Sequence, residues 1–450
     1  MDFSKEFQYS VTQMRTLISE IAKKDGQEVE IKGFAQTIRD QGKIVFILVR
    51  DATGLVQVVF TKEFLETMQK AQTVTMESII AVKGLAKKED QAPGGFEVLA
   101  KELEILSLAN PELPIPILEK GSQEEADQSI RLDWRWLDLR KPHSLLTFQV
   151  WTTLEAAFRN YWLKNGYVEI HTPKLIGAPS ESGAEVFEVK YFEKTAYLAQ
   201  SPQFYKQMAM AAGFEKVFEV GPVFRAEPSF TSRHATEFTG YDAELSYIDS
   251  HEDVMKAEEE AIAEAIRAVK EKHGEAIKKE FDREVTVPTV PFPRVSMKEA
   301  KEILKGMGVA SEKEGDLSPE EERKISEYVL KEKGHEFVFI TDYPASVRPF
   351  YHMRHENDPT LTKSFDLLWG GLEVTTGAQR EHRYDVLVSQ AKEKGMNVES
   401  IQFYLNFFKY GCPPHGGFGM GPNRVMMKLL GIDNVREAMF LYRGVKRLEP

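Results

Sequence analysis

The strongest constraint on the fold lies in the stretch Phe218–Leu245, which reads FEVGPVFRAEPSFTSRHATEFTGYDAEL. Both of its ends are rich in β-forming residues, which predicts two strands, and the proline and serines between them predict a loop. Residues two apart share one face of a strand, so Arg225 lies beside Glu227, and Asp242 beside Glu244. A strand face with this many charges is not core. It is either a solvated sheet surface or the floor of a polar pocket.

The pattern FRAE, a loop and HATEF resembles motif 2 of class II aminoacyl-tRNA synthetases, which reads fRxE, a loop and (R/H)xxxF. The resemblance implies that Arg225 neutralises the α-phosphate of ATP, that Glu227 accepts a hydrogen bond from the adenine amino group, and that Phe238 stacks on the purine. His234 occupies the (R/H) position and is implied to bind ATP as well. For this motif alone, a solvated hairpin is the alternative.

Composition bounds the class of protein. The chain has 450 residues, enough for two or three domains, and its 42% hydrophobic and 28% charged residues are ordinary for a globular protein. No run approaches the roughly 18 apolar residues of a membrane-spanning helix, and the single cysteine, Cys412, excludes a disulfide framework. We therefore expect a cytoplasmic enzyme without a membrane partner. The net charge of −12 argues against a general nucleic-acid coat but permits a local basic patch that contacts RNA.

Residues 1–108 are predicted to form a small β-barrel. About five strands in roughly 100 residues, separated by glycine-containing turns, favour an OB-fold, and such barrels stack single-stranded bases on exposed aromatic rings. Phe46 and Gln57 resemble the anticodon-binding pair of aspartyl-tRNA synthetases. The resemblance implies that Phe46 stacks on the central uridine of the anticodon and that Gln57 reads its edge. The alternative places Phe46 in the barrel core and Gln57 in solvent.

The proline-rich segment 109–140 is predicted to be an extended hinge, and residues 141–450 a catalytic domain. An apolar stripe predicts a helix from about residue 144 to Asn165, and a short strand with Pro173 follows. A helix, a glycine and a strand in this order resemble class II motif 1, which implies a homodimer. The alternative is that this segment is an ordinary helix–strand unit with no role in an interface.

Residues 177–210 resemble the amino-acid-binding region of aspartyl enzymes. A loop of small residues carries Glu181, which is implied to close over the substrate and, together with Asp242, to hold its α-ammonium group. Gln203 and Lys206 are three residues apart on one face of the following helix. They are implied to contact the amino acid and its side-chain carboxylate, although an isolated lysine on a helix more often faces solvent.

Two carboxylates and one arginine stand out further downstream. Asp366 and Glu373 lie on neighbouring strand-like segments and together suit Mg²⁺, which binds a few protein oxygens along with phosphate and water. The alternative is that both face solvent. Arg380 follows small residues and can bind a carboxylate through two hydrogen bonds. With Lys206 it would favour aspartate, because asparagine would leave both cations under-compensated.

The segment 411–431, GCPPHGGFGMGPNRVMMKLLG, resembles motif 3, GxGxxR. The resemblance implies that Arg424 stacks on adenine opposite Phe238 and faces the γ-phosphate. Three motifs in order, behind a barrel, identify the chain as a member of the class II synthetases. The expected fold is α+β: an N-terminal OB-fold β-barrel, then a class II catalytic domain with a mostly antiparallel sheet flanked by helices.

The resemblance implies that ATP and Mg²⁺ activate L-aspartate to aspartyl-adenylate, and that aspartate is then transferred to the 3′-terminal adenosine of tRNA(Asp). No covalent enzyme nucleophile is needed, so catalysis would rest on positioning and on charge neutralisation by Arg225 and Arg424. Gln36 and the turn at 92–95 resemble barrels that also accept tRNA(Asn). The alternatives are an asparaginyl-tRNA synthetase, which shares this architecture, and a tRNA-binding paralogue that has lost catalysis.

Overall fold

The chain divides into two compact units, Met1–Pro116 and Ile117–Pro450. This division comes from a computed structural model that describes residues 15–117, 125–180, 185–228 and 231–450. Within these ranges, every helix is too short or too polar to cross a lipid bilayer.

The first unit is a closed five-stranded barrel, which confirms the predicted OB-fold. Its strands pair in the order β1-β2-β3-β5-β4, with β3 and β5 parallel. Its elements are β1 (Glu28–Asp40), β2 (Ile44–Asp51), β3 (Gly54–Thr61), α1 (Leu65–Ala71), β4 (Ile79–Lys88) and β5 (Phe96–Ser107), with short 3-10 helices at Ile18–Lys24, Lys62–Phe64 and Pro93–Gly95.

Strand β2 shows how side-chain alternation builds the barrel. Val45, Ile47 and Val49 are fully buried in the core cluster, because successive side chains of a strand point to opposite faces. Phe46 lies on the outer face and is half-buried. The alternative that placed this ring in the barrel core is therefore wrong.

The second unit combines a large sheet, a small sheet and flanking helices. Its strands are β6 (Val168–Glu169), β7 (Leu175–Ile176), β8 (Glu188–Tyr191), β9 (Lys194–Leu198), β10 (Lys216–Phe224), β11 (Glu237–Ser246), β12 (Arg294–Ser296), β13 (Phe337–Thr341), β14 (Ser364–Trp369), β15 (Leu372–Arg380) and β16 (His415–Met420). Its helices are α2 (Gln128–Asp133), α3 (Arg135–Asp138), α4 (Pro142–Lys164), α5 (Gln203–Ala211), α6 (His251–Phe281), α7 (Met297–Gly306), α8 (Pro319–Lys333), α9 (Tyr384–Glu393), α10 (Gln402–Lys409) and α11 (Pro422–Leu430).

The predicted hinge is helical in its second half. Helices α2 and α3 occupy residues 128–138, and Arg131 of α2 donates to Glu437 at 2.6 Å within the second unit. The domain boundaries expected at residues 108 and 140 stay predictions.

The large sheet confirms the mostly antiparallel prediction. Its order is β12-β13-β14-β15-β16-β11-β10-β6, and only the two outermost pairs are parallel. This order places β11 of motif 2 next to β16, which leads into motif 3, and places β16 next to β15. Residues far apart in the sequence therefore meet on neighbouring strands.

The two faces of the sheet have different roles. Helices α4 and α6 pack on one face, where Phe158 and Trp162 of α4 join Tyr241 and Ala243 of β11 in the main core cluster. Because side chains alternate along a strand, the intervening residue Asp242 points to the opposite face. That face carries the charged candidate site residues that line the pocket described below.

Candidate active site

A pocket of about 310 Å³ opens on the open face of the sheet. Its wall brings together residues from α5, β10, β11, β15 and α11 and from the loop between β10 and β11. The predicted site residues on it are Gln203, Lys206, Arg225, Glu227, His234, Phe238, Asp242, Glu373, Arg380 and Arg424. Glu181, which was expected to close over the substrate, lies outside the described residues.

One end of the pocket combines an aromatic ring with cations. The guanidinium carbon of Arg225 lies 5.6 Å from the centre of the Phe238 ring. Nε of Arg225 is buried and has no hydrogen-bond partner within the described ranges. Arg424 donates through Nη1 to the backbone oxygen of Glu373 at 2.9 Å and lies 3.4 Å from its carboxylate. The stacking of Arg424 on adenine stays a prediction.

His234 lies at the same end with an uncharged ring. Burial lowers its pKa, and the nearby charge of Arg424 lowers it further. Its Nδ1 lies 2.5 Å from the hydroxyl of Thr231 in the loop between β10 and β11. The ring can therefore bind a nucleotide through hydrogen bonds but adds no positive charge.

At the other end, four buried charged residues form what we call the side-chain socket: Lys206, Asp242, Glu244 and Arg380. Nζ of Lys206 lies 2.9 Å from Asp242 and 3.2 Å from Glu244. Arg380 donates to Glu244 from Nε at 3.0 Å and from Nη2 at 3.4 Å. The two cations are thus balanced by two carboxylates before any ligand binds, and sequence analysis had assigned Glu244 no role.

The two carboxylates of the socket differ in pKa. Burial acts to raise the pKa of Glu244, but Arg380 and Lys206 outweigh it and hold that pKa below its ordinary value. Burial raises the pKa of Asp242 above its ordinary value despite the hydrogen bond from Lys206. Asp242 is therefore the less stabilised anion, and a cationic ligand group beside it would be favourable.

Gly417 lets β16 lie directly against Glu244. A Cβ atom at this position would lie 2.1 Å from the backbone oxygen of Ala243 and 2.2 Å from Oε2 of Glu244. The backbone oxygen of Gly417 accepts a hydrogen bond from Nη2 of Arg380 at 2.9 Å. Any other residue here would displace the carboxylate that orients Arg380.

A buried chain of hydrogen bonds fixes the amide of Gln203. The backbone oxygen of Pro413 only accepts, so Nδ1 of His415, at 2.9 Å, carries the proton, and burial lowers the pKa of this histidine to about 4. Nε2 of His415 must therefore accept from the amide nitrogen of Gln207 at 3.0 Å. Oε1 of Gln207 then accepts from Tyr404 and from Nε2 of Gln203, each at 2.9 Å. The chain leaves the oxygen of Gln203 to accept from a ligand.

The two predicted metal ligands have different environments. The side chain of Glu373 is 36% exposed on the pocket wall and accepts from the hydroxyl of Thr376 at 3.2 Å. Asp366 is buried behind that wall, where Oδ2 lies 2.7 Å from Arg348. Its Oδ1 has no hydrogen-bond partner among the residues described. In the same ranges, no three His, Cys, Asp or Glu side chains group as a metal site would require.

Several pocket residues were missed by sequence analysis. Arg233 lies in the motif 2 loop and donates to Glu322 of α8 at 3.1 Å, and its position in that loop was an available signal. Arg348 stacks on Tyr343, with its guanidinium carbon 3.6 Å from the ring centre. His352 also lines the wall. Arg348 and His352 lie outside the three motifs to which sequence analysis assigned roles.

The barrel places both predicted anticodon residues on its outer surface. Phe46 pairs with Val59, and Leu48 pairs with Gln57, in the β2–β3 ladder. Gln57 is half-buried and donates to Glu97 at 3.2 Å. Both side chains are therefore available on one face, and their contact with an anticodon stays a prediction.

Comparison with protein families assigns both units. Residues 127–443 match the family described as tRNA synthetases class II (D, K and N). Residues 29–106 match the family described as OB-fold nucleic acid binding domain. The first match covers more than half of the chain.

Individual proteins agree with this assignment. The chain is 43% identical over 429 residues to the aspartate--tRNA(Asp/Asn) ligase of Methanopyrus kandleri, covering 95% of this chain and 97% of the relative. It is 42% identical over 428 residues to the aspartate--tRNA(Asp) ligase of Pyrococcus abyssi, with the same coverage. The asparaginyl-tRNA synthetase of Pyrococcus horikoshii with asparaginyl-adenylate superposes with a TM-score of 0.89 at 35% identity, covering 97% of this chain and 99% of that chain. The chain therefore belongs to the class II tRNA synthetases of the D, K and N group.

Proposed function

We propose that this protein is an aspartate–tRNA ligase. It activates L-aspartate with ATP and Mg²⁺ to aspartyl-adenylate, and then transfers the aspartyl group to the 3′-terminal adenosine of tRNA(Asp) with AMP as the leaving group. The names of the Methanopyrus and Pyrococcus abyssi relatives, which are 43% and 42% identical, support this proposal. The pocket supports it as well, because cations and an aromatic ring occupy one end and a socket of paired charges the other.

The observation that carries the choice of aspartate is the buried pair Lys206–Asp242. Nζ of Lys206 already has three partners: Asp242, Glu244 and the backbone oxygen of Phe418 at 3.3 Å. L-aspartate brings both an ammonium group and a side-chain carboxylate. The ammonium group of the substrate can pair with Asp242, and its side-chain carboxylate can pair with Lys206 in place of Asp242. Every charge then keeps a partner of opposite sign. Asparagine offers Lys206 only a neutral amide, which leaves that cation with weaker compensation.

In the activation step, the protein positions two substrates and neutralises charge. Arg225 has an unpartnered buried donor and holds the α-phosphate, Phe238 stacks on adenine, and Arg424 holds the outer phosphates. Glu227 and His234 bind the adenine end. The α-carboxylate of aspartate then attacks the α-phosphate in line, with pyrophosphate leaving, and no covalent bond to the enzyme forms.

The carboxylates present fit Mg²⁺. This ion binds one or two protein carboxylates and completes its octahedron with phosphate oxygens and water, so a cage of three side chains is not required. Glu373 reaches the pocket, and Oδ1 of Asp366 lacks a partner in the described part of the chain. Glu373 and Asp366 would hold the ion, which supplies positive charge to the triphosphate.

For the tRNA, we propose that Phe46 and Gln57 contact the anticodon and that both tRNA(Asp) and tRNA(Asn) are accepted. Gln36 is held on the barrel by Arg50 at 2.8 Å, and Arg50 is itself paired with Glu77 at 3.0 Å. The amide at this position presents hydrogen-bonding groups rather than a bulky apolar surface. The name of the Methanopyrus relative, which includes both tRNAs, supports the wider substrate range.

We also propose a homodimer built on the motif 1 helix. Large apolar side chains are exposed on and before α4, including Trp136 at 52%, Leu145 at 40% and Leu163 at 57%. Large exposed apolar patches mark protein interfaces, and we expect these side chains to contribute to one. Size-exclusion chromatography with light scattering would report the mass directly.

The experiment that tests the function is the charging of purified tRNA(Asp) and tRNA(Asn), separately, with ATP, Mg²⁺ and either labelled aspartate or labelled asparagine. We expect aspartate to become acid-precipitable on both tRNAs. Charging of tRNA(Asp) alone would refute the wider tRNA range. Charging with asparagine instead would favour the asparaginyl-tRNA synthetase alternative. The asparaginyl-tRNA synthetase of Pyrococcus horikoshii has a similar structure. No charging with either amino acid would favour the inactive paralogue.

A further inference from the structure

His352 is a buried histidine that touches both Arg380 and the pocket. The residue is 2% exposed, lines the pocket wall, and forms an isolated antiparallel β-bridge with Arg380. Its backbone oxygen accepts a hydrogen bond from Gln390 of α9 at 3.2 Å. The imidazole is therefore held at the amino-acid end of the pocket by the backbone as well as by packing.

The contact with Arg380 determines where the imidazole carries its proton. Nη1 of Arg380 lies 3.0 Å from Nε2 of His352. A guanidinium group only donates, so Nε2 is the acceptor and carries no proton. Burial and the charge of Arg380 hold the pKa of His352 well below its ordinary value, which makes the ring neutral. The single ring proton is therefore on Nδ1.

Nδ1 of His352 is buried and has no hydrogen-bond partner among the described residues. Buried N–H groups are rarely left without an acceptor, because an unmet donor loses its bond to water and gains nothing in return. The neighbouring side chains Lys206 and Arg380 are also donors. An acceptor for Nδ1–H is therefore expected to come from outside the chain, at the end of the pocket that we assign to the amino acid.

We propose that Nδ1–H of His352 donates to the side-chain carboxylate of L-aspartate and is a specificity-determining group of this pocket. The inference rests on the proposed function and adds a third donor to Lys206 and Arg380. Three donors suit a carboxylate, whose two oxygens only accept. They disfavour asparagine, because its amide nitrogen would point a donor at a donor.

Two substitutions separate this role from mere positioning of Arg380. In His352→Gln the side-chain oxygen can still accept from Arg380 at the place of Nε2, but the Nδ1 donor is lost. In His352→Asn the amide nitrogen can donate from the place of Nδ1, but the acceptor for Arg380 is lost. Both are measured by aspartate-dependent pyrophosphate exchange, with KM for aspartate and for ATP determined separately.

We expect His352→Gln to raise KM for aspartate on the order of tenfold, with KM for ATP unchanged, because a hydrogen bond to a charged group is lost. We expect His352→Asn to stay closer to wild type. A wild-type KM in His352→Gln would overturn the proposal and would mean that water satisfies Nδ1. A larger defect in His352→Asn than in His352→Gln would overturn it as well, in favour of Arg380 positioning.

His335→Gln is the matched control, since His335 is also buried but its ring nitrogens lie 2.9 Å from the backbone oxygens of Phe337 and Thr289, away from the pocket. It should leave KM for aspartate unchanged. In wild-type protein with ¹⁵N-labelled histidine, the Nδ1–H resonance of His352 should shift on addition of aspartate without ATP. An unchanged resonance at saturating aspartate would overturn the proposal without any substitution. If wild-type protein shows no exchange at all, the proposed function fails rather than this inference.

Discussion

Glu244 accepts two hydrogen bonds from Arg380, from Nε at 3.0 Å and from Nη2 at 3.4 Å, and lies 3.2 Å from Nζ of Lys206. Glu244 is completely buried, and Arg380 is only 3% exposed. Removing one member of such a pair leaves an uncompensated charge in the interior, at a cost of roughly 3–5 kcal/mol. The residues that we propose to select the substrate are therefore also part of the folding energetics of the second unit.

Arg380→Ala should abolish aspartate-dependent pyrophosphate exchange and also lower the free energy of unfolding by roughly 3–5 kcal/mol, because Glu244 loses its main partner. Adding Glu244→Gln to Arg380→Ala removes the stranded charge. The double variant should regain much of the lost stability in urea unfolding but none of the exchange activity. Recovery of activity in the double variant would show that Arg380 acts only through the fold.

Glu258 of α6 should make stability depend on pH. Burial raises its pKa to about 8 from an ordinary 4.5, against a 2.5 Å hydrogen bond from Thr375. Between these two values the folded chain keeps a proton that the unfolded chain releases, so rising pH favours unfolding by about 1.4 kcal/mol per pH unit. This penalty is absent below pH 4.5 and complete above pH 8.

The measurement compares wild type with Glu258→Gln by urea unfolding at pH 5.5, 7 and 8.5 without added metal. The glutamine retains an acceptor for Thr375 but does not titrate. We expect the variant to become progressively more stable relative to wild type as pH rises. Parallel curves for the two proteins would show that Glu258 ionises at its ordinary pKa.

Gln207→Met should weaken aspartate binding although Gln207 does not line the pocket wall. The substitution keeps the side-chain volume but breaks the hydrogen-bond chain from His415. Nε2 of Gln203 then has no acceptor at residue 207, so the Gln203 amide can rotate and its oxygen no longer has a fixed orientation toward the ligand. We expect KM for aspartate to rise severalfold, with KM for ATP unchanged. Tyr404→Phe serves as the control, because it deletes only the side donor to Gln207. It should cost about 1 kcal/mol of stability and leave KM for aspartate near wild type.

Phe46→Ala and Gln57→Ala should separate the two reactions. Both side chains lie on the outer face of the barrel, where Phe46 is half-buried without belonging to the core. We expect kcat/KM for tRNA charging to fall by about tenfold or more, since base stacking contributes roughly 1–3 kcal/mol. Pyrophosphate exchange without tRNA should be unchanged. Equal loss in both assays would place the effect on folding rather than on the anticodon.

The fold was predictable because its signals are local. Turn residues bounded the barrel strands, and the apolar stripe expected from about residue 144 to 165 became α4, Pro142–Lys164. The motif residues were predictable for a related reason. Arg225 directly follows β10 and Phe238 lies on β11, and one loop joins these strands, so a short window of sequence contains both.

Glu244, Gln207, His352 and His415 were not predictable, because their roles depend on contacts between elements that are far apart in the sequence. Glu244 meets Gly417 in the β11–β16 ladder, and Arg380 meets His415 in the β15–β16 ladder. The pattern of residues within one segment does not indicate which residues of two distant strands pair with each other. Asp366 shows the same limit, since its pairing with Arg348 comes from a loop that carries no repeating pattern.

Pyrophosphate exchange measured with L-aspartate, L-asparagine and L-lysine in parallel tests the central claim most directly. The exchange of ion pairs at Lys206 and Asp242 requires one amino acid that carries both an ammonium group and a side-chain carboxylate. We predict ATP–pyrophosphate exchange with aspartate and none above background with the other two. Exchange with asparagine equal to or greater than that with aspartate would contradict the account.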